Sequence, residues 1–247
     1  PTDPARYPEH VSTAFRIATS GRPGPVYIDM NEDVVYGKVE ESEAVTPTRA
    51  IGRSRPAGDP DLIKQAVKML SEASSPMIFA GGGVWWSQAY DELRQLVERM
   101  GIPFYTSPMS RGLLPDDHEM SFPAARSSAF RGADVVLVVG TRMNWMMTFG
   151  KRIAAESKLI QIDIHGEELG HNRSIDVGIE GDAKTVLQQM IDEAERSGFE
   201  SKAKSKWIDD LREADLSRRE RVAPLENAET RPIHPLRLCK ELRDVMD

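Results

Sequence analysis

The sequence predicts an α/β protein organised as a doubly wound parallel sheet, and three observations predict it. The runs at 76–80 and 135–139 are continuously apolar rather than alternating, as strands covered on both faces must be, and 159–164 is apolar but for Gln161 and Asp163. Between them lie stretches whose apolar residues recur every three to four positions, the spacing of a helix with one buried face. Glycine-containing turns join the two kinds of segment, with Gly81-Gly82-Gly83 after the first run and Gly140 after the second. Strand, glycine turn and helix in repetition is the pattern of a sheet with helices on both sides.

The bulk properties agree. The chain has 247 residues, 40% hydrophobic and 29% charged, enough for one sizeable core with flanking segments. A net charge of −7 lacks the basic footprint that nucleic-acid binding requires. No apolar run approaches the roughly 20 residues of a membrane span. The single cysteine, Cys239, allows neither an internal disulfide nor a zinc cage and is compatible with a reducing cytoplasm. The opening Pro1-Thr2-Asp3-Pro4 has neither an initiator Met nor a signal sequence, so the chain reads as part of something longer.

Taken in order, Val11, Ala14, Phe15 and Ala18 predict a helix over 9–20 capped by Gly21. The break Arg22-Pro23-Gly24-Pro25 leads to a short strand at Val26-Tyr27-Ile28. Residues 37–58 keep neither period and carry Pro47, Pro56, Gly52 and Gly58, which reads as a linker. Asp59 as N-cap and Pro60 at the first helical position open a helix bearing Leu62, Ile63, Ala66, Val67 and Leu70. Ala89, Leu93, Leu96 and Val97 form the next helix face, ending at Gly101. Strands at 102–105 and 177–179, helices at 124–131 and 147–155, and a helix opened by Asp182 complete the unit of 59–197. Beyond Gly198 the lysines of 201–206 are followed at once by acids, predicting a solvated helix face that Pro224 breaks. A last helix follows His234-Pro235.

Candidate chemistry gathers at the ends of the strands. Gly82 and Gly83 lie where backbone N–H groups can face a phosphate, or where glycine merely permits close packing. Arg142 follows the most apolar strand, at the sheet edge where open α/β folds bind ligands, and its fork suits a diphosphate or else a neighbouring carboxylate. Asn144 and Trp145 would line a pocket or pack against another surface. Asp163 ends its strand where an acid can accept ribose hydroxyls; Asp182 is first of all a helix cap. Arg111 and Gly112 offer a second loop with one basic group. His165 and His171 with Asp163 and Glu168 match no metal spacing, and no nucleophile or acid–base pair stands out. The chain reads as a binder.

Several segments together resemble the thiamine diphosphate-dependent enzyme superfamily. Gly21-Arg22-Pro23-Gly24-Pro25-Val26-Tyr27-Ile28-Asp29 is similar to the end of that family's pyrimidine-binding domain. Ser110-Arg111-Gly112-Leu113-Leu114-Pro115-Asp116 resembles a loop of its central domain, and Gly140-Thr141-Arg142-Met143-Asn144-Trp145 resembles the acyl-CoA branch of 2-hydroxyacyl-CoA lyases and oxalyl-CoA decarboxylases. The resemblance implies residues 1–36 as the end of the pyrimidine-binding domain, 37–58 as linker, 59–197 as the central nucleotide-binding domain, and 198–247 as a helical connection onward. It implies a parent enzyme that makes or breaks a C–C bond in an acyl-CoA or 2-oxo acid substrate, with thiamine diphosphate and magnesium (Mg2+) bound outside this chain. It also implies a central site for ADP or the nucleotide of CoA, or for FAD as in acetolactate synthase relatives, formed by Gly82, Gly83, Arg142, Asn144, Asp163 and Asp182. A homodimer or homotetramer is implied for the parent, and no activity for these 247 residues alone. A non-catalytic nucleotide-binding module is the alternative.

Overall fold

The computed structural model describes residues 2–47, 54–201 and 205–246. Part of the expected linker and the middle of the lysine run therefore lie outside the described residues.

Five parallel strands form the sheet: β1 (Pro76–Ala80), β2 (Phe104–Thr106), β3 (Val135–Val139), β4 (Lys158–Asp163) and β5 (Val177–Glu180), in the order β2-β1-β3-β4-β5. The register pairs Pro76 through Ala80 with Val135 through Val139, residue for residue. The strands β1 and β3 are buried along their whole length, as their unbroken apolar sequences require, and successive side chains serve two separate cores. Ile78, Ala80, Leu137 and Val139 face helices α3 (Pro60–Glu72), α5 (Tyr90–Met100) and α7 (Ala183–Ser197). Met77, Phe79, Val136 and Val138 face α6 (Arg126–Gly132) and α8 (Ser205–Glu226).

Local signals account for these boundaries. The Asp59 carboxylate accepts the N–H groups of Asp61 and Leu62, and Pro60 sits in the first turn of α3. Gly101 and Gly198 close α5 and α7 in the left-handed conformation. On the second face, the Trp207 indole donates to the Pro76 carbonyl at 3.0 Å, and the buried Asp215 accepts the Ala124 N–H at 2.6 Å. These two bonds tie α8 to the sheet and to the turn before α6.

Three expectations are corrected. Residues 26–28 form no strand, and Tyr27 is 87% exposed; a short run without a neighbour has no ladder to join. The 147–155 helix is absent. In its place a 3-10 turn spans Trp145–Gly150, with Thr148 and Phe149 left-handed at φ 52° and 54°. The Arg173 guanidinium donates to the carbonyls of Gly150, Ile153, Ala154 and Ala155, supplying the partners that helical N–H groups would have supplied. Pro224 does not end α8, which runs on to Glu226 with the proline inside it. The other segments are α1 (Tyr7–Thr19), the single turn α2 (Glu32–Val35), the short α4 (Gly82–Ser87) and α9 (Pro235–Val245).

Candidate nucleotide cleft

The chain leaves β1 toward β2 on one side and returns to β3 on the other, so β1 and β3 flank the topological switch point, where ligands of open α/β sheets bind. The loops leaving these two strands are locked together. Gly81 donates its N–H to the Val139 carbonyl at 2.8 Å and Gly83 donates to the Gly140 carbonyl at 2.8 Å. A Cβ at Gly83 would lie 2.6 Å from the Gly140 Cα, and Gly140 itself has φ +58°. Glycine at these two positions is therefore demanded by backbone contact, the packing alternative raised for Gly83. Gly82 is roomier, its nearest neighbour being the Met109 Cβ.

A cleft of about 350 Å³ opens at this point, and Gly82, Gly83, Arg142, Asn144, Asp163 and Asp182 all line it. Six positions drawn from four loops, spread over a hundred residues of sequence, thus share one wall. The β2 loop contributes Ser107, Pro108 and Met109. Arg111 does not line the cleft; it lines a separate groove that shares Arg126 with it. Trp145 is 73% exposed and Trp86 takes the aromatic place in the wall.

The cleft is cationic. Arg22, Arg126, Arg142 and Arg152 line it, against the two carboxylates of Asp163 and Asp182. Asp182 is committed within the protein: its Oδ1 accepts from Ser87 Oγ at 2.7 Å, from Arg55 at 3.0 Å and from the Lys184 N–H at 3.2 Å, capping α7. The Asn144 Oδ1 accepts the Met146 N–H and so shapes the strained turn that carries Met146 and Met147 to the wall. Asp163 is 7% exposed at the end of β4, where one oxygen accepts the His165 N–H at 3.0 Å. Burial pushes its carboxyl above the ordinary aspartate value, against the pull of that N–H and of Arg22. A carboxylate so held suits hydroxyl donors. Arg142 remains half-exposed, its Nε 3.7 Å from Glu168, whose Oε1 takes Arg22 at 2.6 Å. The nearby His171 stands 3.6 Å from the same carboxylate.

Sequence reasoning passed over Arg22, Arg126 and Arg152 as cleft residues. Arg22 stands within the Gly21–Asp29 motif, so a signal for it was present. Arg126 and Arg152 had none, since only the tertiary path of α6 and of the 145–155 loop carries them to the cleft. Among the described residues no group of three or more His, Cys, Asp or Glu side chains is placed to hold a metal ion. No helix of the described residues is long and apolar enough to cross a membrane.

Comparison with known proteins now bears on the cleft. Residues 63–190 match the family model for the thiamine pyrophosphate enzyme, central domain. The chain is 34% identical over 239 residues to oxalyl-CoA decarboxylase of Escherichia coli K12, covering 96% of the chain and 42% of that protein. It is 40% identical over 217 residues to 2-hydroxyacyl-CoA lyase of Arabidopsis thaliana, covering 85% and 38%. It is 34% identical over 255 residues to the "Probable acetolactate synthase large subunit" of Methanocaldococcus jannaschii, covering 99% and 42%. The chain thus spans about two fifths of the length of these relatives. A solved structure titled "X-ray structure of a putative thiamin diphosphate-dependent enzyme isolated from Mycobacterium smegmatis" shares the fold, with a TM-score of 0.62 at 22% identity over 78% of this chain and 38% of that one. With its parallel sheet and the family match running from α3 into α7, the chain belongs to the thiamine pyrophosphate enzyme family and carries that family's central domain.

Proposed function

We propose that these residues are the central portion of a thiamine diphosphate-dependent enzyme that cleaves or forms a C–C bond in 2-hydroxyacyl-CoA substrates of the oxalyl-CoA kind, and that the cleft holds a nucleotide diphosphate, either ADP or the nucleotide part of CoA. The observation that carries the reading is the charge pattern at the switch point, where four arginines line a cleft of about 350 Å³ together with the buried Asp163 and Asp182. A diphosphate matches planar guanidinium forks, and a ribose matches the acceptor at Asp163. Arg142 is the donor freest to turn onto the diphosphate, Gly82 lets the backbone approach it, and Asn144 and Asp182 hold the walls. The similarity to oxalyl-CoA decarboxylase and 2-hydroxyacyl-CoA lyase supports the substrate class. The whole protein is expected to act as a homodimer or homotetramer, and the 247 residues alone to show no lyase activity.

Parallel calorimetric titration of the chain with ADP, CoA and FAD tests this. Binding of ADP or CoA that weakens about tenfold or more in Arg142→Ala is the expected outcome, since a charge-assisted contact is lost. FAD binding alone transfers the parent to the acetolactate synthase side, a 2-oxo acid enzyme, which the similarity to that group also accommodates. Binding of none of the three overturns the nucleotide assignment.

A further inference from the structure

Next to the cleft, and sharing Arg126 with it, lies a groove of about 970 Å³ between the β2 loop, α6 and α8. Seven arginines line it among the described residues, with no lysine, in a chain whose net charge is −7. Arg111, Arg131, Arg218 and Arg221 have no hydrogen-bond or ion-pair partner among the described residues; of the groove's arginines on α8, Arg219 alone is held, by Asp215 at 2.5 Å. The carboxylates of Asp116, Asp117 and Glu226 also line the groove, yet none pairs with these arginines.

Such crowding of like charge is unfavourable unless something offsets it. Arg126 shows the cost most directly. It stacks over the Phe79 and Phe130 rings at 5.1 and 5.6 Å, and its Nε is buried without an acceptor. Burial and then the neighbouring Arg152 and Arg111 depress its basicity. The walls are not loose surface. Asp215 fastens α8 to the turn before α6, and Trp207 fastens it to β1, so the arginines are presented on a fixed frame.

We propose that this groove is a second anion site, taking a small molecule with two or more phosphoryl groups. A concave volume of this size fits a ligand of nucleotide dimensions. The exclusive use of arginine favours planar, bidentate recognition of phosphate oxygens over the looser attraction of a lysine patch. The inference does not rest on the nucleotide reading of the cleft, although Arg126 borders both.

Titrating the 247-residue chain calorimetrically with inorganic pyrophosphate at low ionic strength, with ADP in a parallel arm, tests it. Pyrophosphate is expected to bind the Arg142→Ala protein still, and to lose about tenfold or more affinity in Arg131→Gln/Arg221→Gln, with ADP affinity at the cleft unchanged. Arg131 and Arg221 are exposed, so a preserved melting temperature is expected; Arg218→Gln supplies an independent single variant. Tighter groove binding of ADP than of pyrophosphate identifies a nucleotide as the source of the phosphates, and equal binding identifies a free polyphosphate. A pyrophosphate isotherm insensitive to the groove variants, or abolished by Arg142→Ala alone, overturns the groove while leaving the cleft intact. Failure of ADP to bind together with a groove-sensitive pyrophosphate isotherm would do the reverse.

Discussion

The unit from Pro60 to Ser197 and the segment ahead of it, 2–47, are written in the same code of apolar spacing but reach opposite ends. In the first, Phe79, Leu93, Leu137 and Leu187 are sealed completely. In the second, α1 buries no residue, Phe15 is 70% exposed, Tyr36 78%, and Val34 alone among the described residues is buried. Periodicity decides whether a stretch becomes a helix, whereas burial depends on a partner surface that local sequence does not contain. The comparison is sharpest for two phenylalanines. Phe79→Ala removes a ring packed edge-on against Phe130 at 5.3 Å and is expected to cost about 3–5 kcal/mol. Phe15→Ala is expected to stay within about 0.5 kcal/mol. Denaturant midpoints of the two variants measure the contrast, and equal losses would mean that α1 is packed in solution.

Glycine gives the next contrast. An alanine Cβ at Gly83 would meet the Gly140 backbone at 2.6 Å, and backbone cannot rotate aside as a side chain can. Gly83→Ala is expected to destabilise by about 1–3 kcal/mol and to spread the two loops that floor the cleft. Gly24, in the leading segment, has nothing within 4 Å of the methyl that alanine would add. Gly24→Ala is expected to be neutral or to stabilise by up to about 1 kcal/mol, through the entropy of the unfolded chain. Thermal melts of the pair read both signs, and a tolerated alanine at 83 would show that the loops are not locked.

The same division explains what could be read in advance. Signals complete within a few residues, such as the Asp59-Pro60 start, the Gly101 stop and the runs of β1 and β3, lie where the sequence places them. The helix expected at 147–155 failed because Arg173, 18 to 23 residues on, takes the carbonyls of that loop. Strand-end position was enough to gather Arg142 and Asp163 at one edge. It could not reveal that Asp182 is spent on Ser87 and Arg55, nor that Arg126 reaches the cleft from a helix. Contacts across sheet layers have no local signature.

Arg22 links the two regions, and it carries the subtlest effect. Arg22 of the leading segment bonds Glu168 at 2.6 Å and lies close enough to Asp163 to favour its charged form. Both carboxylates lose that support in Arg22→Ala. The pair is partly exposed, 32% and 13%, so the stability change at neutral pH is expected to be no more than about 1 kcal/mol. Its pH dependence is more telling. The folded-state value of Asp163 is already raised, so its contribution to stability is full at low pH, where it is neutral, and is lost as pH climbs through that raised value. Removing Arg22 raises it further and deepens the loss. The gap between variant and parent should therefore widen as pH rises through the raised Asp163 value. Repeating the comparison in Asp163→Asn isolates the share due to Asp163, because what persists there belongs to Glu168. A gap that is constant with pH would sever the link between the leading segment and the cleft, and would leave α1 and its neighbours attached by chain connectivity rather than by charge.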